Sequence, residues 1–378
     1  MRHNRASPPA AAILWKDIAV QNMPNMPDRF LRACRREPVD RTPVWFMRQA
    51  GRSLPEYRKI KEHYSLLEIA RQPQLCAQVT LQPVRRLGVD AAILYADIMT
   101  PLVAIGIDLD IVEGTGPVVA HPIRTRDDLA ALRPLEPDHD IPHVQETIRM
   151  LRRELAATDT PLIGFAGAPF TLAAYLVEGK PSRDYARTKQ LMYGQPELWH
   201  ALMERLTEIV IGYARGQIAA GIQAFQLFDS WIGALGPRDY ARYIQPHVRR
   251  IFAALATPEA GSERIPLIHF GTGTAGLLEL MADAGGDVIG LDWRVRLEDG
   301  WRRVGGPERV AAQGNLDPTV LLAPWEVVRA EAEEVLRAAG GQPGHIFNLG
   351  HGILPQTPVE TLERLVAFVH EHEPIAAG

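Results

Sequence analysis

The first strand–loop–helix unit of this chain reads Pro43-Val-Trp-Phe-Met-Arg48-Gln-Ala-Gly-Arg52-Ser-Leu-Pro55-Glu-Tyr-Arg58. Residues 44–47 form an apolar run that suits a buried strand, and Pro55 suits the first turn of a helix. Similar apolar runs recur along the chain and are separated by helical patterns. The predicted strands are 43–48, 90–97, 161–168, 224–230, 265–271, 287–293, 309–314 and 344–350.

Continuous apolar strands that alternate with helices indicate a parallel sheet covered by helices on both faces. Eight such units predict an α/β fold, a single-domain (β/α)8 TIM barrel with its active-site cleft at the carboxyl ends of the strands. A doubly wound open sheet is the competing architecture. It usually carries a Gly-rich phosphate loop after an early strand, and no such loop is found here.

Two arginines, Arg48 and Arg52, occupy the loop after the first predicted strand. A guanidinium presents a planar fork of donors that matches a carboxylate or a phosphate. The pair is therefore a candidate clamp for a substrate with several anionic groups. The alternative is that both arginines pair with Glu56, Asp90 or another acid and fix the loop.

Polar or turn-forming residues end nearly every predicted strand, which in a barrel places them around the active-site cleft. They are Arg48, Asp97, Gly167 to Pro169, Asp229 with Ser230, His269, Asp292, Asn315 with Asp317, and Asn348 with His351.

Composition excludes several classes of protein. The 378 residues are 46% hydrophobic and 23% charged, as in a globular protein with an ample core. The net charge of −4 and the lack of basic blocks argue against general nucleic-acid or membrane affinity. Two cysteines suit a reducing compartment, and no apolar run is long enough to span a bilayer. We expect a cytoplasmic enzyme preceded by a flexible N-terminal tail over residues 1–25.

Motifs for metal or covalent chemistry are missing. There is no His-x-Cys pair or HExxH for zinc, no G-x-S-x-G elbow, and no lysine at a strand end. The turn Gly271-Thr-Gly-Thr-Ala-Gly276 lacks a full phosphate-binding fingerprint, so it is assigned no role. What remains is a site without metal or cofactor, with arginines for anions and Asp97 for cationic or N–H partners.

The chain resembles the uroporphyrinogen decarboxylase family through collinear motifs from about residue 28 to residue 370. The matching motifs are Met47-Arg-Gln-Ala-Gly-Arg-Ser-Leu-Pro-Glu-Tyr57, Thr80-Leu-Gln-Pro83, Ile163-Gly-Phe-Ala-Gly-Ala-Pro-Phe-Thr171, Gln226-Leu-Phe-Asp-Ser230, Gly290-Leu-Asp-Trp293, Gln313-Gly-Asn-Leu-Asp-Pro318 and Asn348-Leu-Gly-His-Gly352. The resemblance implies a (β/α)8 decarboxylase domain over residues 26–375, usually a homodimer, that works without metal or cofactor. The implied reaction removes carbon dioxide from the four acetate side chains of uroporphyrinogen III and gives coproporphyrinogen III.

The resemblance also implies catalytic roles for two residues and binding roles for a third. Arg48 and Arg52 would bind substrate carboxylates, and Asp97 would accept hydrogen bonds from the pyrrole N–H groups. The charge of Asp97 would stabilise the protonated pyrrole that receives electrons as carbon dioxide leaves. Arg48 and water are the two candidate proton donors. The alternative for Asp97 is a helix cap after the second strand.

Four further residues match positions near the family's cleft. Tyr175, Ser230 and His351 could each donate a hydrogen bond to a substrate carboxylate, and Phe228 could pack against the macrocycle. Structural alternatives remain for all of them: Tyr175 and Phe228 could belong to the core, Ser230 could cap a helix, and His351 could fix its own turn.

One departure from the family pattern affects the surroundings of the site. This chain has Tyr95-Ala96 where family members often have Phe-Ser before the central aspartate.

Two rival functions remain open. A corrinoid methyltransferase would share the barrel but needs a His/Cys zinc site. A non-catalytic tetrapyrrole-binding protein would keep the arginines without turnover.

Overall fold

The computed structural model describes residues 28–372, apart from residues 52, 113, 159 and 259–262. Arg52 and the predicted tail over residues 1–25 lie outside the described residues. The same holds for residues 26, 27 and 373–375 of the predicted decarboxylase domain.

A seven-stranded parallel sheet forms the centre of the molecule, and a two-stranded antiparallel hairpin stands apart from it. In chain order the strands are β1 (Ala92–Ile93), β2 (Leu109–Val112), β3 (Gly116–Val119), β4 (Leu162–Gly167), β5 (Ala224–Asp229), β6 (Leu267–Gly271), β7 (Val288–Gly290), β8 (Ala311–Gln313) and β9 (His345–Ile346). The sheet has the order β1-β4-β5-β6-β7-β8-β9, and β2 and β3 form the hairpin. The predicted parallel α/β architecture is confirmed.

Helices follow the strands and cover the sheet. They are α1 (Arg29–Cys34), α2 (Pro55–Lys61), α3 (Leu66–Ala70), α4 (Pro73–Leu87), α5 (Thr100–Ala104), α6 (Pro137–Asp140), α7 (Pro142–Leu155), α8 (Pro169–Glu178), α9 (Ala186–Gly194), α10 (Pro196–Ala220), α11 (Pro237–Tyr243), α12 (Gln245–Ala256), α13 (Leu278–Ala284), α14 (Leu297–Arg303), α15 (Trp325–Ala339) and α16 (Val359–Glu371). Within the described part of the chain, none of these helices is long and apolar enough to cross a membrane.

The predicted first strand, residues 43–48, is much shorter than expected. Only a parallel bridge between Val44 and Phe347 forms there, with a hydrogen bond of 3.3 Å from the Trp45 amide to the Phe347 carbonyl. Pro43 has no N–H to donate, and Arg48 takes a left-handed conformation with φ of 62°, so pairing stops on both sides. On the other side of this segment, the Asp90 amide donates to the Val44 carbonyl at 2.8 Å.

The remaining predicted strands are present but shorter, and the hairpin β2–β3 was not predicted. Strand β4 shows why the apolar runs predicted strands correctly, since all six of its residues are buried. Helix α10 lies directly against β4. The Gln217 amide group on α10 donates to the Phe165 carbonyl at 3.0 Å and accepts from the Phe165 amide at 3.1 Å.

Three buried polar side chains form a chain of hydrogen bonds across the sheet. The Trp45 indole donates to Oε1 of Gln313 at 3.1 Å, and Nε2 of Gln313 donates to Oε1 of Gln226 at 3.1 Å. Nε2 of Gln226 has no partner among the described residues. The chain joins the segment around Val44 to β8 and β5.

The Asp90 carboxylate ties the two ends of the described chain together at the amino-terminal end of the sheet. Its Oδ2 accepts from the Val44 amide at 2.8 Å and lies 2.7 Å from Nε2 of His370 on α16. Its Oδ1 lies 3.7 Å from Arg29 on α1 and 3.5 Å from Arg41. Asp90, considered above as a partner for Arg48 and Arg52, is therefore engaged at the opposite end of the sheet.

Candidate active site

Arg48 is held at the carboxyl end of the sheet by its neighbour Gln49. The side chain of Gln49 is buried; its Oε1 accepts from the Phe46 amide at 2.9 Å, and its Nε2 donates to the Ala91 carbonyl at 2.8 Å. This double contact fixes the loop against the residue that precedes β1. Arg48 itself is exposed, and its backbone takes a left-handed conformation with φ of 62°.

The loop after β9 supports Arg48 from a second direction. A β-carbon built on Gly352 would lie 2.6 Å from Cγ and 3.0 Å from Nε of Arg48, so the arginine stem occupies the space that a side chain would need. Asn348 joins the same two loops, because its Oδ1 accepts from the Met47 amide at 3.3 Å and from the Leu349 amide at 2.8 Å.

Asp97 is half-buried and forms the first turn of the segment that leads into α5. Its Oδ1 accepts from the Met99 amide at 2.9 Å, and its own amide donates to Oγ1 of Thr100 at 3.2 Å. The N-cap of α5 is Met99, which receives no side-chain cap, so Asp97 closes the turn before the helix and does not cap it. These contacts fix the carboxylate without excluding a substrate role, since a carboxylate has about four acceptor positions.

Tyr175 on α8 lies close enough to Arg48 and Asp97 for both charges to act on the pKa of its hydroxyl. Burial raises the pKa of its hydroxyl to about 12, a hydrogen bond with Trp231 lowers that pKa, the negative charge of Asp97 raises it, and the positive charge of Arg48 lowers it. One phenol thus lies within electrostatic range of both charged residues. The structure brings three of the predicted site residues together at one end of the sheet.

An aromatic surface continues the site along β4, β5 and β6. Phe228 is half-buried and packs edge-on against Phe165 and Phe270, with ring centroids 5.4 Å and 5.8 Å apart. His351 lies against Phe270 with centroids 6.4 Å apart. Phe228 therefore contacts other rings at its buried side while part of it stays accessible, as a flat apolar ligand would require.

The end of β5 carries a buried carboxyl next to Ser230. Asp229 has no exposed surface; Thr171 donates to its Oδ1 at 2.9 Å, and its Oδ2 has no partner among the described residues. Burial raises the pKa of Asp229 to about 7, although the hydrogen bonds from Thr171 act against this rise. Ser230 is half-buried, and its carbonyl accepts a hydrogen bond from the Thr272 hydroxyl.

The glycine-rich turn after β6 has its own intramolecular anion. The Gly273 amide donates to the carboxylate of Asp292, whose Oδ2 also lies 2.9 Å from the Arg294 guanidinium. A turn amide that is already bound to a carboxylate is a poor candidate for binding phosphate. This agrees with assigning the turn no role.

Sequence reasoning missed several residues that shape the site. Gln49, Gly352 and Trp231 all stand next to predicted site residues, and Gly352 closes a quoted motif, but nothing local indicates their contacts. Trp231 packs on Tyr175 with ring centroids 6.1 Å apart. Among the described residues, no group of three or more His, Cys, Asp or Glu side chains is arranged to hold a metal ion.

Comparison with known proteins gives a consistent assignment. The family model described as uroporphyrinogen decarboxylase (URO-D) matches residues 25–372. The chain is 58% identical to uroporphyrinogen decarboxylase from Salinispora tropica over 342 residues, which cover 90% of each protein. It is 56% identical to a protein of that name from Thermus thermophilus over 346 residues, 91% of this chain and 98% of the relative.

A solved methyltransferase structure from Methanosarcina mazei has the same fold. It superposes with a TM-score of 0.76 over 91% of this chain and 97% of its own, at 23% sequence identity. An identity this low supports the shared architecture and carries no argument about the reaction.

Proposed function

Because this chain belongs to the uroporphyrinogen decarboxylase family, we propose that it is a carboxy-lyase of tetrapyrrole (haem and chlorophyll) biosynthesis. It removes carbon dioxide from the four acetate side chains of uroporphyrinogen III, converts them to methyl groups, and releases coproporphyrinogen III. The observation that carries the proposal is the family match over residues 25–372; the charges of Arg48 and Asp97, which both act on the pKa of the Tyr175 hydroxyl, agree with it.

Arg48 and Arg52 bind carboxylates of the substrate in this proposal. Uroporphyrinogen carries eight carboxylates around its rim, and each guanidinium can hold one through two parallel hydrogen bonds. The exposure of Arg48 and its support by Gln49 and Gly352 favour this role. An arginine that is already held in place loses less conformational entropy when the substrate binds.

Asp97 binds the centre of the macrocycle. The four pyrrole N–H groups converge there as donors, and a carboxylate only accepts hydrogen bonds. Because Met99 and Thr100 orient Asp97 before the substrate arrives, its charge is preorganised. Preorganised charge of this kind is often the largest catalytic contribution of an enzyme.

Each decarboxylation begins when a proton adds to a ring carbon of the pyrrole and makes the ring cationic. The bond between the acetate methylene and its carboxylate then breaks, carbon dioxide leaves, and the electron pair neutralises the ring. A second proton converts the exocyclic methylene to a methyl group as the ring carbon loses its proton. Asp97 stabilises the cationic ring, and Arg48 holds the reacting side of the macrocycle, with Arg48 or water supplying the proton.

The remaining predicted residues bind the substrate. Tyr175 stays protonated near neutral pH because its pKa is about 12, so it donates a hydrogen bond to a carboxylate. Ser230 and His351 donate from the loops after β5 and β9. Phe228 supplies an apolar surface for a pyrrole face, together with the rings it contacts.

The proposal includes the finer architecture and the cellular setting. The segment around Val44 closes the sheet as an eighth strand between β9 and β1, which makes a single-domain (β/α)8 barrel. Its hydrogen bonds to Phe347 and Asp90 support this closure. The enzyme is a cytoplasmic homodimer that uses no cofactor.

An anaerobic assay with uroporphyrinogen III tests the function directly. Coproporphyrinogen III and about four molecules of carbon dioxide per substrate are expected, measured by chromatography of the oxidised porphyrins and by trapped carbon dioxide. Tight binding of uroporphyrinogen without product would replace the proposal by the binding-protein alternative. One tightly bound zinc per chain, with methyl transfer from a corrinoid, would favour the methyltransferase.

A further inference from the structure

A cavity of about 200 Å³ opens at the amino-terminal end of the sheet, opposite the candidate active site. Four arginines line it: Arg35, Arg36, Arg264 and Arg309. Residues 264, 287 and 309 lie just before β6, β7 and β8, whose amino-terminal ends meet there because the strands are parallel. Residues 35 and 36 follow α1. Four separate parts of the chain thus contribute to one cavity.

Three of the four guanidinium groups are held in place by the protein. Arg36 donates to the carbonyls of Pro307 and Glu308, and its Cγ lies 3.0 Å from where a β-carbon on Gly344 would be. Arg264 pairs with Asp287 at 2.6 Å, and Arg309 pairs with Asp283 at 2.7 Å.

The carboxylates do not balance the positive charge of the cavity. Arg264 and Arg309 each have an acidic partner, whereas Arg36 donates to neutral carbonyls and Arg35 has no ion pair among the described residues. Two of the four positive charges therefore remain, in a chain whose net charge is −4. Guanidinium groups at such a site retain free donors that suit an oxygen anion.

We propose that this cavity binds a compact oxyanion that carries at least two negative charges, of the phosphate or polycarboxylate class. The volume corresponds to the liquid share of roughly six or seven water molecules, which suits an anion of the size of pyrophosphate or citrate. The anion links the end of α1 to the starts of β6, β7 and β8. Arg35 and Arg36 supply the unbalanced charge, and Arg264 and Arg309 complete the shell.

Titration of the full chain with pyrophosphate, and separately with citrate, tests the site by calorimetry and by thermal unfolding at fixed ionic strength. We expect saturable binding of at least one anion and a rise in melting temperature that saturates with it. Binding of pyrophosphate alone assigns the phosphate class, and binding of citrate alone assigns the polycarboxylate class. Saturating anion should also slow amide hydrogen exchange in α1.

Two variants remove one guanidinium each, Arg36→Gln and Arg35→Gln. Each should weaken binding by about tenfold or more, because a hydrogen-bonded charge is lost from the shell. Arg35→Gln breaks no ion pair of the described chain, so its folding is preserved. Arg153→Gln is the matched control, an exposed arginine on α7 that pairs with Glu146, and it should bind as wild type does.

The proposal is overturned if neither anion binds saturably at fixed ionic strength, or if Arg153→Gln weakens binding as much as Arg35→Gln. This site is independent of the proposed decarboxylase reaction. Arg35→Gln should therefore keep the wild-type rate of any turnover, and a failure of the decarboxylase assay would leave the anion titration interpretable.

Discussion

Gly352 supports the side chain of Arg48 by having no side chain of its own. A β-carbon at Gly352 would lie 2.6 Å from Cγ of Arg48, well inside the contact distance of two carbon atoms. The backbone of Gly352 needs no left-handed conformation, so this glycine serves the contact rather than a turn. The position of the guanidinium thus depends on a residue from the other end of the chain.

Gly352→Ala is expected to lower kcat/KM for uroporphyrinogen on the order of 100-fold, because a displacement of about 1 Å at a positioning group has an effect of that size. The chain should still fold, since the obstructed neighbour is a long exposed side chain that can move. Steady-state kinetics and thermal unfolding measure the two effects. Gly276→Ala is the matched control, because a β-carbon there meets no atom within 4 Å. Equal losses in both variants would contradict the supporting role of Gly352.

Asp97→Asn is expected to reduce kcat by about 100- to 1000-fold, the range for loss of a preorganised charge-stabilising group. Asparagine keeps an oxygen that can accept from the Met99 amide, so the turn that leads into α5 should be retained. Product formation and circular dichroism separate the two effects. Asp128→Asn provides the control, since Asp128 also accepts backbone amides, from Arg124 and Thr125, in an exposed turn. An Asp97→Asn enzyme within about tenfold of wild type would exclude Asp97 as the central charge.

Asp229 should make stability fall as the pH rises. Burial raises its pKa in the folded protein to about 7 from 3.8, so the native state holds this proton more tightly than the unfolded chain does. The stabilisation that proton binding to Asp229 contributes to the folded state is complete below pH 4 and is lost as the pH rises through 7.

The free energy of unfolding of wild type relative to Asp229→Asn should therefore decrease by up to about 4 kcal/mol between pH 4 and pH 7 and then level off. Urea unfolding at a series of pH values measures it. Asp184→Asn, which changes an exposed carboxylate, should show no such trend. A difference between wild type and Asp229→Asn that does not vary with pH would mean that Asp229 is already ionised in the folded protein at acidic pH.

Gln313→Leu is expected to lower the free energy of unfolding by about 2–6 kcal/mol, because it leaves two buried groups without partners, the Trp45 indole N–H and Oε1 of Gln226. Gln226→Leu should cost less, since it leaves only Nε2 of Gln313 unpaired and removes an amide nitrogen that has no partner among the described residues. Urea unfolding compares them. The exposed Gln342→Leu should stay within about 0.5 kcal/mol of wild type. A larger loss in Gln226→Leu than in Gln313→Leu would contradict this order.

The sequence predicted the central strands well because their signal is local. The apolar run at 161–168 corresponds to β4 at Leu162–Gly167, where every residue is buried. The first predicted strand was much too long, because its pairing partner Phe347 lies near the other end of the chain. No local sequence pattern shows that this segment forms only one β-bridge with a partner so distant in the chain. The hairpin β2–β3 was missed for a similar reason, since it lies outside the strand–helix alternation.

Sequence reasoning proposed the charged residues of the candidate site but not the residues that hold them in place. Arg48 and Asp97 stand at the ends of apolar runs, where a charged residue is conspicuous in the sequence. The residues that hold Arg48 in place are ordinary in the sequence: Gln49 looks like a loop residue, and Gly352 looks like a turn glycine. Their roles depend on the atoms that face them, and those atoms come from distant segments.

The segment around Val44 and its neighbours contact residues that lie far along the chain and are therefore synthesised much later. Met47 contacts Asn348 across 301 residues of chain, Trp45 contacts Gln313 across 268, and Asp90 contacts His370 across 280. Such contacts form late in folding, since the entropy of closing the loop must be overcome first. The ribosome adds Arg48 early, but Arg48 cannot be held in position until residue 352 has emerged from the ribosome. The arginine therefore gains its working position only after the segment of residues 348–352 has been made, so the order of synthesis delays the assembly of the site.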